Sequence, residues 1–398
     1  MASRRAIIIG GSIGGLFAAL LLRRSGWEVC IYERVPAPLS GRGAGIITHP
    51  ELRAILGALD LTTGSDFGIA VRERITYGQD GSLVGIFPCA QVATSWERVF
   101  RMLRGAVPDA AYVQGAELSA VEVGQRGVTA SFADGRRADA DLLIGADGVR
   151  STVRALFAGD VSPSYAGYVA WRGLLDEATV PADMFDRFSF CLPPGEQMLG
   201  YPVAGEGNDL RPGHRRYNFV WYRPADEDHA LPHLLTDTRG HTHSVSIPPP
   251  LIRSEITAAM RRDARQTLAP AFADIVTATV QPFLQPIFDL ELPQIAWSRV
   301  ALIGDAAFVV RPHVGAGVTK AAEDAASLAT ALAETSDLQA ALDRYQAERL
   351  PAGRRLVRRG RHLGAYMQAQ LSTEEERQAA SRHRTPEAVM AETALLDF

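Results

Sequence analysis

Arg5-Ala-Ile-Ile-Ile-Gly10-Gly-Ser12-Ile13-Gly14-Gly15-Leu-Phe-Ala-Ala-Leu-Leu-Leu-Arg-Arg24 reads as strand, tight turn and helix. A β-branched run breaks into glycines, and an Ala/Leu-rich run follows at once. Gly10 permits the turn, and Gly15 lets the helix pack close to the strand. The turn Gly10–Gly15, with Ser12, Ile13 and Gly14 inside it, presents helix N–H groups and a positive dipole end to a pyrophosphate. Ser12 stands where the G-x-G-x-x-G pattern has its middle glycine. A second run, Val29-Cys-Ile-Tyr-Glu33, ends in an acid about 20 residues on, where a carboxylate can hold ribose hydroxyls.

Working outward, Arg34 to Pro50 is a Pro/Gly-shaped loop in which Gly43 and Gly45 allow backbone to approach a flat ligand. Arg34 and Arg42 read either as partners of cofactor phosphates or as surface arginines, and His49 closes this loop as a pocket candidate. Residues 51–60 read as a helix, 69–88 as strands turning at Gln79-Asp-Gly-Ser, and Ser95 as the cap of another helix. A hairpin is expected over Ala116–Ala133. The run Asp141-Leu-Leu-Ile-Gly145-Ala-Asp147-Gly148 delivers Asp147 at a strand's C-terminal end, where a doubly wound sheet places ligand contacts.

From about 155 to 295 the texture becomes strand-rich and aromatic. His229, His233, His241 and His243 read better as part of a solvated loop than as a metal site, and Leu251–Leu268 reads as a helix. The run Arg299-Val-Ala-Leu-Ile-Gly304-Asp305 is a returning strand. It is followed by the Pro312–Thr319 loop and a helix over 317–334. The arginine-rich helical stretch 337–371 carries interleaved acids and reads as a packing or solvated helix rather than a nucleic-acid surface, and 372–392 as polar and partly mobile.

The totals agree with this layout. A chain of 398 residues, 47% hydrophobic and 22% charged, suggests two domains or one elaborated one. A net charge of −4 gives no reason to expect nucleic acid or an anionic membrane as partner, and no apolar segment of spanning length appears. Three separated cysteines fit neither a disulfide framework nor a zinc site, so a reducing, cytoplasmic setting is expected.

The glycine turn with Glu33, the Asp147-Gly148 segment and Gly304-Asp305, in that order, resemble the class A flavin-dependent aromatic hydroxylases, the para-hydroxybenzoate hydroxylase-like family. The resemblance implies an α/β fold: a Rossmann-type FAD-binding domain, an inserted mainly antiparallel β-sheet substrate domain and C-terminal helices. The expected bounds are 1–154 and 296–335 for the FAD-binding parts, 155–295 for the substrate sheet and 336–398 for the helical tail. It implies FAD as cofactor, NAD(P)H as co-substrate, dioxygen, and a small aromatic or N-heterocyclic substrate hydroxylated through a flavin C4a-hydroperoxide. A homodimer is implied as well.

By the same resemblance Glu33 holds the adenosine ribose, Asp147 serves FAD and the nicotinamide donor, and Asp305 meets the ribityl–pyrophosphate. Pro312, Gly315, Ala316, Gly317, Val318 and Thr319 line the isoalloxazine. The wording Arg311-Pro-His-Val-Gly-Ala-Gly317 is most similar to members acting on hydroxylated pyridines. Phe308, Thr319 and Trp96 depart from the family's usual His, Asn and Arg.

A hydroxyl-bearing ring reacts better once its O–H is deprotonated or strongly hydrogen-bonded. His313, beside the flavin loop, is the candidate titrating group; a capping or surface histidine is the other reading. Tyr201 and Gln197, four residues apart on one strand, share a face. Tyr217 is a candidate relay, and Phe283 and Gln285 read as a pocket wall or as core. A non-hydroxylating flavoprotein and a non-catalytic flavin-binding sensor are the alternatives.

Overall fold

The opening strand is apolar at every position after Arg5 because it is covered on both faces. In the computed structural model, which describes residues 4–39, 45–61, 64, 67–159 and 161–396, Arg5–Ile9 lies inside a six-stranded sheet. Leu142–Gly145 flanks it on one side and Glu28–Glu33 on the other, both parallel. Val300–Leu302 continues the sheet beyond Leu142–Gly145, and Tyr112–Gln114 beyond Glu28–Glu33, again parallel. A short antiparallel strand, Ala296–Trp297, closes one edge. Buried parallel strands have no solvent face, hence the unbroken Ile and Leu runs.

The chain leaves Arg5–Ile9 between neighbours reached from opposite directions, so a crevice opens at the carboxyl ends of these strands. Gly10 turns there with φ of +107°. A Cβ on Gly15 would collide with the Gly10 carbonyl, and one on Gly11 with the Tyr112 hydroxyl, which donates to the Gly11 carbonyl at 2.9 Å. The Ile13–Arg24 helix then packs against the Gly317–Glu334 helix.

The second sheet has eight strands. In spatial order they are Phe283–Asp289, Ser164–Asp176, Arg216–Pro224, Gln197–Val203, Arg187–Cys191, Ile69–Tyr77, Leu83–Ser95 and Gly45–Ile47. All neighbours are antiparallel except Arg187–Cys191 with Ile69–Tyr77. Three of the eight strands come from before residue 96, so this sheet draws on chain well outside 155–295. One of its faces buries Trp171, Phe219 and Trp221 against the Ser254–Thr267 and Pro270–Ala278 helices. The other carries Tyr168, Phe188, Tyr201 and Tyr222. A small antiparallel sheet, Leu118–Val123, Val128–Phe132 and Arg137–Ala140, contains the expected hairpin.

The arginines of the Leu338–Gly364 helix divide between packing and solvent: Arg344, Arg355, Arg358 and Arg361 are exposed, while Arg349 and Arg359 are held by acids. Arg349 is buried and donates to Asp324 at 2.8 Å and Glu323 at 3.0 Å, and Arg359 pairs with Glu392 at 2.6 Å. Residues 374–392, within the stretch expected to be polar and partly mobile, form two helices, Glu374–Arg382 and Pro386–Glu392. The reason is local. Thr373 and Glu376 make a reciprocal capping box, and Thr385 caps the second helix. No described helix is long and apolar enough to cross a membrane. Among the described residues no group of three or more His, Cys, Asp or Glu is placed to hold a metal ion.

Candidate active site

Two hollows carry the expected site residues. The first, of about 200 Å³, is lined by Gly10, Ser12, Glu33, Arg34, Trp96 and Asp147 among others. Glu33 is buried, and its two carboxylate oxygens accept the Gly11 N–H at 2.8 Å and the Val35 N–H at 2.9 Å. A carboxylate offers about four acceptor directions, so capacity remains for a ligand hydroxyl. The Ile13–Arg24 helix starts at Ser12 with no side-chain cap and no acid in its first turn. Its N-terminal donors therefore suit an anion. Ile13 and Gly14 sit within this first turn but do not line the hollow, and Arg42 lies outside the described residues. Trp96, in place of the usual arginine, stacks on Phe100 at 4.8 Å and walls the cleft.

Asp147 lines the cleft but directs its carboxylate to its own chain. Ser151 Oγ donates to Oδ1 at 2.5 Å, and the Thr152 N–H donates to Oδ2 at 2.7 Å, which caps the Thr152–Phe157 helix. Burial pushes this carboxyl up, against the lowering effect of those bonds.

The second hollow, of about 240 Å³, lies between the Pro312–Val318 loop and the eight-stranded sheet. Pro312, Gly315, Gly317 and Val318 line it, whereas Ala316 and Thr319 are buried behind them. Gly315 adopts φ of +66°, and the Gly317–Glu334 helix begins with neither a side-chain cap nor an acid in its first turn. Two uncapped helix N-termini, facing a crevice that also holds Glu33 and Asp305, are a donor set that fits the phosphates, ribityl chain and ring edge of FAD. Asp305 is half-exposed on this wall, with Oδ1 3.3 Å from the buried Lys320 ammonium. Lys320 also donates to the Phe308 carbonyl at 2.6 Å, and Asp324 accepts the Gly304 N–H at 2.9 Å. These two residues, missed in the sequence, fix the Gly304-Asp305 turn from below.

Strand alternation decides which candidates reach the hollow. Tyr201 lines it, stacked on Phe188 at 4.9 Å, with burial pushing its hydroxyl up to about 12. Gln197 shares that face but lies beyond the hollow, where its Oε1 accepts the Tyr366 hydroxyl at 2.8 Å. Tyr217 is a correction. It points to the opposite face, into the core with Phe185 and Phe219, and Asn218 takes the pocket side. The Arg216–Pro224 run is buried on both faces and shows no alternation of polarity, so its phase was not readable.

Gln285 lines the hollow; Phe283 lies one step further along the strand, its ring under the Arg172 guanidinium. His49 is also displaced. Its Nδ1 lies 3.0 Å from Thr319 Oγ1, behind the loop, and it borders a separate cavity of about 710 Å³. His313 does reach the hollow. Burial, with Arg311 and Arg172 nearby, pushes it down to about 3, and its Nε2 lies 2.8 Å from the Tyr168 hydroxyl. Sequence reading passed over Arg172 and Tyr222, which also line the hollow, and over the C-terminal wall of Thr393 and Ala394. A lone arginine in the otherwise apolar and aromatic run Tyr168–Leu175 was the available signal for Arg172.

Comparison with known proteins agrees with this geometry. The FAD binding domain family matches residues 4–178 and 291–360, and a family described as FAD binding domain-like matches 165–289. The chain is 33% identical over 377 residues to 2,6-dihydroxypyridine 3-monooxygenase of Paenarthrobacter nicotinovorans, covering 92% of this chain and 91% of that protein. The solved 2,6-dihydroxypyridine-3-hydroxylase from Arthrobacter nicotinovorans superposes with a TM-score of 0.87 at 31% identity, over 94% of this chain and 95% of that one. HpxO of Klebsiella pneumoniae, solved with FAD and uric acid, superposes at 0.75 with 25% identity, over 98% and 95%. A dinucleotide crevice, a flavin-type loop and this sequence likeness along nearly the whole chain together establish that it belongs to the FAD binding domain family, among the FAD-dependent aromatic monooxygenases.

Proposed function

We propose that this chain hydroxylates a small, electron-rich ring, a hydroxylated pyridine or a related phenol, using NAD(P)H and dioxygen. The observation that carries the reading is the second hollow: one small cavity walled on one side by the Pro312–Val318 loop and on the other by Tyr201, Tyr222 and Gln285. The nicotinovorans relative, named for a dihydroxypyridine, supports the choice of ring.

FAD, when bound, supplies the redox chemistry, accepting hydride from NAD(P)H and passing electrons to dioxygen. The chain's part is binding, orientation and exclusion of water. Glu33, Arg34 and the Gly10–Gly15 turn would hold the adenosine end, and Asp305 with the Gly315–Thr319 N–H groups the flavin end. Phe188, Leu199 and Val220 keep the ring's surroundings dry. The Tyr201 hydroxyl stays protonated at neutral pH and so can donate to a ring oxygen, while the neutral His313 is held through Nε2 by Tyr168. We place the chain in the cytoplasm, a reading supported by three free cysteines, Cys30, Cys89 and Cys191, and by the need for a nicotinamide reductant.

The test is anaerobic reduction of the purified flavoprotein by NADH and by NADPH, with and without 2,6-dihydroxypyridine, followed as loss of flavin absorbance. Acceleration by the dihydroxypyridine, with a hydroxylated product once oxygen is admitted, is the expected result. Reduction that ignores every hydroxylated ring supplied, or no reduction by either donor, would sink the proposal.

A further inference from the structure

Arg172 occupies the pocket face of the Ser164–Asp176 strand, paired in register with Val220 on one side and Phe283 on the other. Its Nη1 donates to Gln285 Oε1 at 3.0 Å, and its guanidinium carbon stands 6.0 Å from the centre of the Phe283 ring. The side chain is thus braced from the neighbouring strand and aimed along the hollow. Its Nε is buried and has no hydrogen-bond partner.

Among the described residues no carboxylate pairs with Arg172. The contrast with Arg311, the other guanidinium lining the same hollow, is direct: Arg311 is neutralised by Asp289, with contacts of 2.7 and 3.0 Å. Asp305, the carboxylate on this wall, is engaged by Lys320. The remaining groups facing Arg172 are Tyr201, Tyr222 and His313, none of them anionic at neutral pH. Its charge acts on all three, favouring the phenolate forms and disfavouring protonated imidazole. A partly desolvated cation without a counter-ion is costly to a fold unless something anionic completes it. Two further buried nitrogens near it, Asn218 Nδ2 and His313 Nδ1, also lack partners.

We propose that Arg172 is the specificity-determining residue of this site, selecting rings that bind as oxyanions and holding the ionised ring oxygen with Nη2, the guanidinium nitrogen that Gln285 does not engage. This rests on the hydroxylase reading above and narrows its substrate class. On binding, the ring O–H bond breaks, its proton passes to solvent water, and the oxygen keeps the electron pair beside Arg172. A ring carboxylate offers the same charge. The oxyanion is favoured because Gln285 already takes one arm of the guanidinium fork, and because the hollow is small and must also admit the flavin edge.

The experiment uses the FAD-loaded enzyme and its R172Q, R172K and Q285L variants, each checked for flavin content and melting temperature. The probes are 2,6-dihydroxypyridine, resorcinol and 6-hydroxynicotinate. Their dissociation constants, the ultraviolet spectrum of the bound ring against pH, and proton release on binding are measured. In the unaltered enzyme the hydroxylated rings should bind ionised and release a proton below their solution pKa. R172Q should weaken their binding by about 10- to 100-fold and move ionisation of the bound ring to higher pH. R172K and Q285L should lie between, so the conclusion does not depend on R172Q folding.

Equal binding and an unmoved bound-ring ionisation in R172Q, with substrate-stimulated flavin reduction intact in the parent, would overturn the role of Arg172 and leave the hydroxylase reading standing. Loss confined to 6-hydroxynicotinate would also overturn it, marking a carboxylate anchor. If no probe binds or stimulates the parent enzyme, the hydroxylase reading fails and this proposal fails with it.

Discussion

The Tyr168 hydroxyl and His313 Nε2 lie 2.8 Å apart, both buried, so the histidine nearest the flavin loop is tied into the substrate sheet rather than left to exchange protons with water. Its folded pKa of about 3 lies below its ordinary 6.5. The unfolded chain therefore binds the extra proton first as pH falls, and the stability contributed by keeping this imidazole neutral is complete above 6.5 and lost as pH drops toward 3. Melting temperature should fall more steeply between pH 6.5 and 4 in the parent than in H313N. The kcat/KM profile should show no inflection near 6.5 that H313N removes. An inflection that vanishes in H313N would show that the imidazole titrates after all.

A second expectation concerns adjacent residues on one strand. Tyr217 carries a buried hydroxyl, beside Ser189 but without a well-formed hydrogen bond, on the face away from the hollow. Removing an unsatisfied buried hydroxyl costs little or is stabilising. Y217F should therefore keep kcat/KM within about twofold, by the same principle. N218L removes a buried amide on the pocket side, and its kcat/KM should drop by about 10-fold or more. The reverse ranking in steady-state kinetics would mean that the strand's phase is misassigned.

The third expectation is at the other end of the crevice. Glu33 organises the Gly11 and Val35 N–H groups while facing the first hollow. E33Q keeps the shape but loses the charge, and a charge-assisted bond is roughly twice as strong as a neutral one. FAD should be retained less well by E33Q after gel filtration, with a dissociation constant raised about tenfold, and less well still by E33A. Undiminished FAD affinity in E33A would remove Glu33 from the cofactor site.

What was readable in the sequence was what local chemistry determines. The turn at Gly10, the acid at Glu33 and the helix over 317–334 each follow from residues a few positions apart. So does the capping box of Thr373 and Glu376, which was legible and overlooked. Positions set by distant chain were not readable. Tyr217 and Asn218 lie in a strand buried on both faces, so nothing in its composition marks the pocket side. His49 looked like a pocket residue because of its loop, and Thr319, 270 residues away, holds it elsewhere. Arg172 was marked in the sequence only as a lone charge in an apolar run, and the fold makes it a site residue by bringing Gln285 and His313 to the same hollow.

The returning strand also bears on how the protein is made. Leu143 pairs with Val300, and Arg5–Ile9 is flanked by the strand to which Val300–Leu302 adds. At ordinary rates of synthesis, about 5–20 residues per second, the Leu142–Gly145 strand emerges about 8 to 30 s before its outer neighbour exists. For that interval a buried, apolar strand presents a bare parallel edge, a template for pairing with other chains. Slowing translation between residues 145 and 300 should lengthen that exposure and raise the aggregated fraction of newly made chain. Chaperone occupancy should be greatest on nascent chains stalled in this same span.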